Sequence, residues 1–284
     1  MQASQALSAA VSQLQAAGIG SPQRHAELLL MFALGRDRTF LYTHPEYNLS
    51  AEESERYQDA LEQRSLGTPT QYITGHQEFW GLDLIVNPSV LIPRPETEHA
   101  VETVFNLAKA HIASGPGIPR LIDVGTGSGC IALALAHELP QAEIHASDIS
   151  LDALNVARAN ALRFHMENRL TLHQADLLAG LNLHNLDFVV SNPPYVGERE
   201  ASKVQREVRD FEPHVAVFGG QEGMEIYRRL IPQAASALRS GGWLVMEIGY
   251  TQQAEVSALL QQWSEVSFVA DLQGIPRVAI ARKP

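Results

Sequence analysis

Arg120-Leu121-Ile122-Asp123-Val124-Gly125-Thr126-Gly127-Ser128-Gly129 decides the fold class. A short apolar run ends in glycines at alternate positions, where the backbone can turn sharply and approach a ligand closely. Outward from this stretch, apolar strands and helical stretches alternate. Strands are expected at 120–124, 143–147, 169–173, 186–191, 242–248, 266–270 and 277–282, with helices at 129–138, 150–164, 223–239 and 251–262. Such alternation implies an α/β fold, a parallel sheet wrapped by helices, with ligands at the carboxyl ends of the strands.

The glycine turn could serve several nucleotides. A dinucleotide fingerprint wants its third glycine at position 130, where Cys130 stands, and a phosphate-binding loop would end in Gly-Lys-Ser/Thr, which is absent. Cys130 reads as a small packing residue. Asp148 ends the second strand 23 residues after Gly125, where a carboxylate can accept from ribose hydroxyls. It also precedes a helix start at Ser150, where an acid is favourable in any case. After the third strand come Asp176 and Leu177, an acid for an exocyclic amine and an apolar cover for a ring. In this order the three elements point to S-adenosylmethionine, held by Gly125, Thr126, Gly127, Ser128, Gly129, Asp148, Asp176 and Leu177.

The fourth strand runs through Phe188-Val189-Val190-Ser191 into Asn192-Pro193-Pro194-Tyr195. Asn-Pro commonly begins a turn, but these residues also suit a methyl transfer. An amide nitrogen is a poor nucleophile because its lone pair is delocalised. The Asn192 side-chain oxygen and the Pro193 carbonyl can engage both of its hydrogens and favour the charge that builds on it. Pro193 and Pro194 stiffen the backbone that presents the carbonyl. Tyr195 can stack on the planar group.

The first 70 residues read as helical. Ser21-Pro22 starts one helix, with proline in its first turn, and Ser50 with Glu53 forms a capping box for another. No catalytic grouping is evident there, so residues 1–70 are expected to be a small docking bundle. Phe79-Trp80, Leu82, Leu84 and Val86 read as strand, with Asn87-Pro88 turning into Val90-Leu91-Ile92. Residues 71–95 would thus be a β-hairpin linker, and 96–284 the transferase domain.

The chain of 284 residues is 45% hydrophobic, enough for a sizeable core. Its formal charge is −11, and both parts are acidic: residues 1–95 hold 6 basic and 10 acidic side chains, a balance of −4. Duplex nucleic acid is bound chiefly through Lys and Arg, so no stable nucleic-acid partner is expected. The single cysteine excludes an intrachain disulfide and a cysteine-built zinc site. The 11 histidines show no metal-ligand spacing. No apolar run is long enough for a membrane span and no signal peptide is evident, so the cytoplasm is expected.

These motifs, with Leu91-Ile92-Pro93-Arg94-Pro95-Glu96-Thr97-Glu98, Glu212-Pro213, Gly219-Gly220, Gly223 and Glu247-Ile248-Gly249, closely resemble the HemK/PrmC family over nearly the whole chain. Its members are protein-(glutamine) methyltransferases acting on peptide-chain release factors. The resemblance implies a Rossmann-like, seven-stranded class I methyltransferase domain behind an N-terminal helical bundle. It implies methylation of the glutamine side-chain nitrogen in the release factors' Gly-Gly-Gln loop, supporting translation termination. Asn192, Pro193, Pro194 and Tyr195 would hold that glutamine, and Asn192 would also contact S-adenosylmethionine. Leu177 departs from members that carry tryptophan there. Arg94, Glu96 and Glu98 fit a hinge cluster or a pocket lining equally, and Glu212 and Glu247 could line the pocket or cap strands. The competing readings are a ribosomal-protein glutamine methyltransferase, a DNA adenine-N6 methyltransferase, which would need a basic groove and base flipping, and a non-catalytic cofactor-binding protein.

Overall fold

The computed structural model describes residues 1–115 and 117–284. They fall into two compact units, one of Met1–His76 with Gln205–Phe211, the other of Gln77–Val204 with Glu212–Pro284. No helix among the described residues is long and apolar enough to cross a membrane.

The first unit is helical. Helices Ala3–Ala16, Pro22–Leu34 and Ala51–Ser65 meet through Ala6, Ala10, Leu14, Leu29, Leu30, Ala33, Ala60 and Leu61, all buried. The capping box forms as the residues require: Glu53 N donates to Ser50 Oγ at 3.1 Å, and Ser50 N to Glu53 Oε2 at 2.8 Å. Arg64 is fully buried, giving one hydrogen bond to the Thr68 carbonyl and an ion pair of 2.6 Å to Glu207. That pair holds the distant segment 205–211 within this helical unit.

A hairpin of β1 (His76–Phe79) and β2 (Leu82–Ile85) follows, all of it but His76 in the second unit. Here the structure differs from the sequence reading. The chain reverses at Trp80-Gly81, both at positive φ (+54° and +74°), as a two-residue hairpin turn demands. Residues 90–92 form no strand. Instead the buried side chain of Asn160 takes up the backbone of Ile85, accepting from its N–H (2.7 Å) and donating to its carbonyl (3.0 Å). A side-chain amide thus ends the ladder where another strand would continue it.

The main sheet comprises β3 (Arg120–Val124), β4 (Glu143–Asp148), β5 (Leu170–Gln174), β6 (Leu186–Ser191), β7 (Leu238–Glu247), β8 (Ser264–Ala270) and β9 (Pro276–Arg282). Their order is β5-β4-β3-β6-β7-β9-β8, parallel from β5 to β7, with β9 antiparallel to both β7 and β8. Alternate residues bury opposite faces. Leu121, Phe188, Val190 and Val245 join one core with helices Glu98–Ala113 and Cys130–Glu138. Ile122, Val124, Val189, Leu244 and Met246 join the other with helix Glu225–Ala237. Burial on both faces explains why these strands read as continuous apolar runs.

Candidate active site

The strand order reverses between β3 and β6, which opens a crevice at their carboxyl ends. Register decides what meets there. Val124 pairs with Ser191 on one side and Ser147 on the other, so Gly125, Asn192 and Asp148 leave three adjacent strands at the same height. Ser191 Oγ donates to the Val124 carbonyl at 2.6 Å, fastening the two strand ends together.

The glycine turn is tied down by its neighbours. Gly125 N and Thr126 N both donate to the Ser147 carbonyl (2.8 and 2.9 Å), and Thr126 Oγ1 donates to Asp123 Oδ2 at 2.7 Å. Asp123 is fully buried, and burial pushes its carboxyl up to about 7. Asp148 braces the turn: Oδ2 accepts from Gly127 N and Oδ1 from Ser150 N, each at 2.9 Å. Burial raises its pKa, while these backbone donors pull it down. Ser150 then caps helix Leu151–Arg163 by accepting from Ala153 N. Gly129 has no room for a side chain, since a Cβ would press on Leu133 and Ala157 at 3.2 and 3.3 Å.

A cavity of about 230 Å³ lies over this turn, bounded also by Asp148, Leu177, Asn192, Pro194 and Thr97. Gly125 and Gly127 have positive φ and open space where a Cβ would stand, so a ligand can lie against bare backbone. Ser128 Oγ, lining the same cavity, is buried with no hydrogen-bond partner among the described residues. This cradle suits a long, flat, polar-edged ligand such as a nucleoside. Leu177 adopts φ +58°, a conformation leucine takes only under constraint. The constraint is visible: Ser147 Oγ donates to the Leu177 carbonyl at 3.0 Å, and Gln233 Oε1 accepts from Leu178 N at 2.9 Å. Asp176 is engaged by Arg229 Nη2 at 2.5 Å, and both residues line the cavity. Burial lifts the Cys130 thiol to about 12, which leaves it inert as a nucleophile.

Asn192 is held from a distant part of the chain. Its Nδ2 donates to Thr97 Oγ1 at 3.0 Å, and Thr97 Oγ1 donates to Glu247 Oε2 at 2.6 Å. Tyr195 OH donates to Glu247 Oε1 at 3.3 Å. Glu247, the last residue of β7, is buried, and burial raises its carboxyl to about 7. Among the described residues no group donates to Asn192 Oδ1 or to the Pro193 carbonyl, so both acceptors are available. The motif's backbone is clamped as well. Gln252 Nε2 donates to the Tyr195 carbonyl at 2.8 Å, and Gly219 and Gly223 lie flat against the carbonyls of Pro194 and Tyr195.

The charged residues left open by sequence now have places. Arg94 lines the cavity and pairs with Glu212, which also accepts from Ile92 N at 3.1 Å. Glu98 accepts from Trp80 N in the hairpin turn at 2.9 Å, and Glu96 sits in the 3-10 turn Pro95–Thr97. Sequence reasoning gave no role to Thr97 or Gln252. Each stands in a polar helix start, Glu96-Thr97-Glu98 and Thr251-Gln252-Gln253, where another hydroxyl or amide gives no signal.

A PrmC N-terminal domain family model matches residues 5–75, and a methyltransferase small domain model matches residues 107–210. The release factor glutamine methyltransferase of Koribacter versatilis is 51% identical over 281 residues, spanning 99% of this chain and 98% of its own length. That of Moorella thermoacetica is 43% identical, spanning 90% and 88%. Among solved structures, the N-terminal domain of human METTL16 in complex with SAH aligns with a TM-score of 0.53 at 20% identity. That alignment covers 89% of this chain and 93% of the other, and speaks to the fold alone.

Proposed function

The chain belongs to the release factor glutamine methyltransferases, and from that premise we propose that it methylates the side-chain amide nitrogen of the glutamine in the Gly-Gly-Gln loop of peptide-chain release factors, with S-adenosylmethionine as donor. One observation supports this above all: a single cavity joins the glycine turn to Asn192 and Pro194, and Asn192 keeps its oxygen unengaged there.

Bound in this cavity, S-adenosylmethionine would supply an electrophilic methyl group on a sulfonium. Gly125 to Gly129 would hold its nucleoside and methionine portions. Asp148 would accept from the ribose hydroxyls with the lone pairs that Gly127 and Ser150 leave free, and Leu177 would cover the adenine beside Asp176. Asn192 Oδ1 and the Pro193 carbonyl each take one hydrogen of the substrate amide. With both hydrogens held, the nitrogen would face the methyl group, and two oxygen dipoles would stabilise positive charge on it as the N–C bond forms and the C–S bond breaks, its electron pair returning to sulfur. One of the held protons would then pass from the methylated nitrogen to solvent. Tyr195 lies against the planar amide, and Pro193 and Pro194 keep the acceptor geometry from relaxing.

In the same reading, residues 1–70 dock the release factor, 71–95 form the linker and 96–284 carry the chemistry, in the cytoplasm and without a stable nucleic-acid partner. The test is mass spectrometry of a release factor's Gly-Gly-Gln peptide after incubation with the protein and S-adenosylmethionine. One methyl on that glutamine is expected. An unmodified glutamine, with label instead on a ribosomal protein or on DNA adenine, would reject the assignment.

A further inference from the structure

We infer that Glu247 and Thr97 are positioning residues for the transfer: through the Thr97 hydroxyl, the Glu247 carboxylate dictates which end of the Asn192 amide faces the substrate. The inference rests on the acceptor role proposed for Asn192 Oδ1.

The argument is one of proton counting. A carboxylate only accepts hydrogen bonds, and a threonine hydroxyl has one proton to give. Glu247 Oε2 lies 2.6 Å from Thr97 Oγ1, so the threonine proton belongs to that bond. What Thr97 then offers Asn192 is a lone pair, and only Nδ2 can meet it, at 3.0 Å. The amide oxygen is thereby turned to the other side. Reversing the amide would set two acceptors face to face, which is costly where Thr97 is buried. Nothing in Asn192 itself chooses between its two ends. The choice is made 55 residues further along the chain, where β7 ends. The sheet register makes this possible, because Met246 pairs with Ser191 and so Glu247 leaves β7 beside Asn192.

The relay has a protonation state. If Glu247 carries a proton, one of its oxygens becomes a donor, Thr97 Oγ1 can accept from it, and the Thr97 hydroxyl can turn its hydrogen bond to Asn192 Oδ1. The amide is then free to turn over and present its NH2 group, which cannot hold a substrate amide hydrogen. The groups bearing on Glu247 come from every side. Tyr195 and Thr97 donate to it, and the Tyr227 hydroxyl donates to its main-chain carbonyl at 3.0 Å. Glu96 raises its pKa and Arg277 lowers it, the latter itself paired with Asp271 at 2.8 Å. The partly buried Cys130 thiol also feels its charge. Desolvation outweighs the rest and leaves the carboxyl titrating at about 7.

The test uses the full chain, intact release factor and single turnovers at saturating S-adenosylmethionine, with calorimetric cofactor binding as the check on folding. Thr97→Val removes the hydroxyl at nearly constant shape; it is expected to slow the chemical step by ~10–100-fold while cofactor affinity stays within ~3-fold. Thr97→Ser restores the hydroxyl and should return the rate to within ~3-fold of wild type. The wild-type rate is expected to fall about tenfold between pH ~8 and pH ~6 as Glu247 protonates, and Glu247→Gln should be slow and flat across that range. The idea is overturned if Thr97→Val keeps the wild-type rate, if Thr97→Ser is as slow as Thr97→Val, or if Glu247→Gln keeps the wild-type pH profile. A wild-type protein that leaves the release-factor glutamine unmodified overturns the proposed function and the relay with it. An active wild type with unaffected variants overturns the relay alone.

Discussion

Replacing Gly219 with alanine tests whether the Asn192–Tyr195 loop works by rigid placement. Gly219 has ordinary backbone angles, so alanine causes no φ strain, and its effect must come from space. An ideal Cβ would fall within the contact radius of the Pro194 carbonyl oxygen, 3.0 Å from Pro194 C and 3.3 Å from the Gly223 carbonyl oxygen. Ordinary carbon contacts lie at about 3.5–4.0 Å, so the two segments must part by roughly an ångström. They resist, because Gly219 N donates to the Val196 carbonyl at 2.9 Å and Val196 N to that of Val217 at 3.1 Å. The strain should cost ~1–3 kcal/mol of stability, as overpacking does. The displacement should lower kcat by about a hundredfold, the usual penalty for moving a positioning group by ~1 Å. Cofactor affinity should change far less, since the glycine turn belongs to other strands. The measurements are single-turnover rate, calorimetric cofactor binding and thermal unfolding, with Gly20→Ala as control, where a Cβ meets nothing within 4 Å. A Gly219→Ala protein that folds and turns over within twofold of wild type would falsify the placement argument.

Other expectations are more local. Asn192→Ala should reduce the methyl-transfer rate by ~10²–10³, about 2.7–4 kcal/mol, at saturating cofactor; a near-wild-type rate would demote the motif to a turn. Asp148→Ala should weaken cofactor binding by ~1.5–3 kcal/mol and loosen the turn that Gly127 N ties to it; unchanged calorimetric affinity in a folded variant would refute the ribose role. Asp123 titrates at about 7 when folded, so between its unfolded value and that point the folded state holds a proton the unfolded state lacks. Its linkage therefore makes stability fall as pH rises toward 7. Asp123→Asn should lose less stability than wild type between pH ~5 and ~7.5 in urea unfolding, and an unaltered slope would count against it.

The glycine turn and the Asn-Pro-Pro-Tyr segment were readable because each is continuous in the chain. Strand, glycine turn and helix lie within Arg120 to Glu138, and Asn192 to Tyr195 follow β6 without a gap. The hairpin was less legible. Val90 to Ile92 has the composition of a strand, but composition cannot show that Asn160 occupies the edge where a partner would pair, nor that Trp80 tolerates a positive φ. Thr97 and Gln252 were passed over for the same reason. Their partners, Glu247 and the Tyr195 carbonyl, lie 150 and 57 residues away.

By itself the sequence determined the α/β alternation and set the glycine turn and Asn192 to Tyr195 at strand ends, because local spacing and residue chemistry carry that information. Only the tertiary structure decided what surrounds them. Register across β4, β3, β6 and β7 brings Asp148, Gly125, Asn192 and Glu247 to one end of the sheet, and pairing register is a property of strands together, not of any one. Which way the Asn192 amide faces follows from that packing, since its orientation depends on a proton held between Thr97 and a buried carboxylate far along the chain.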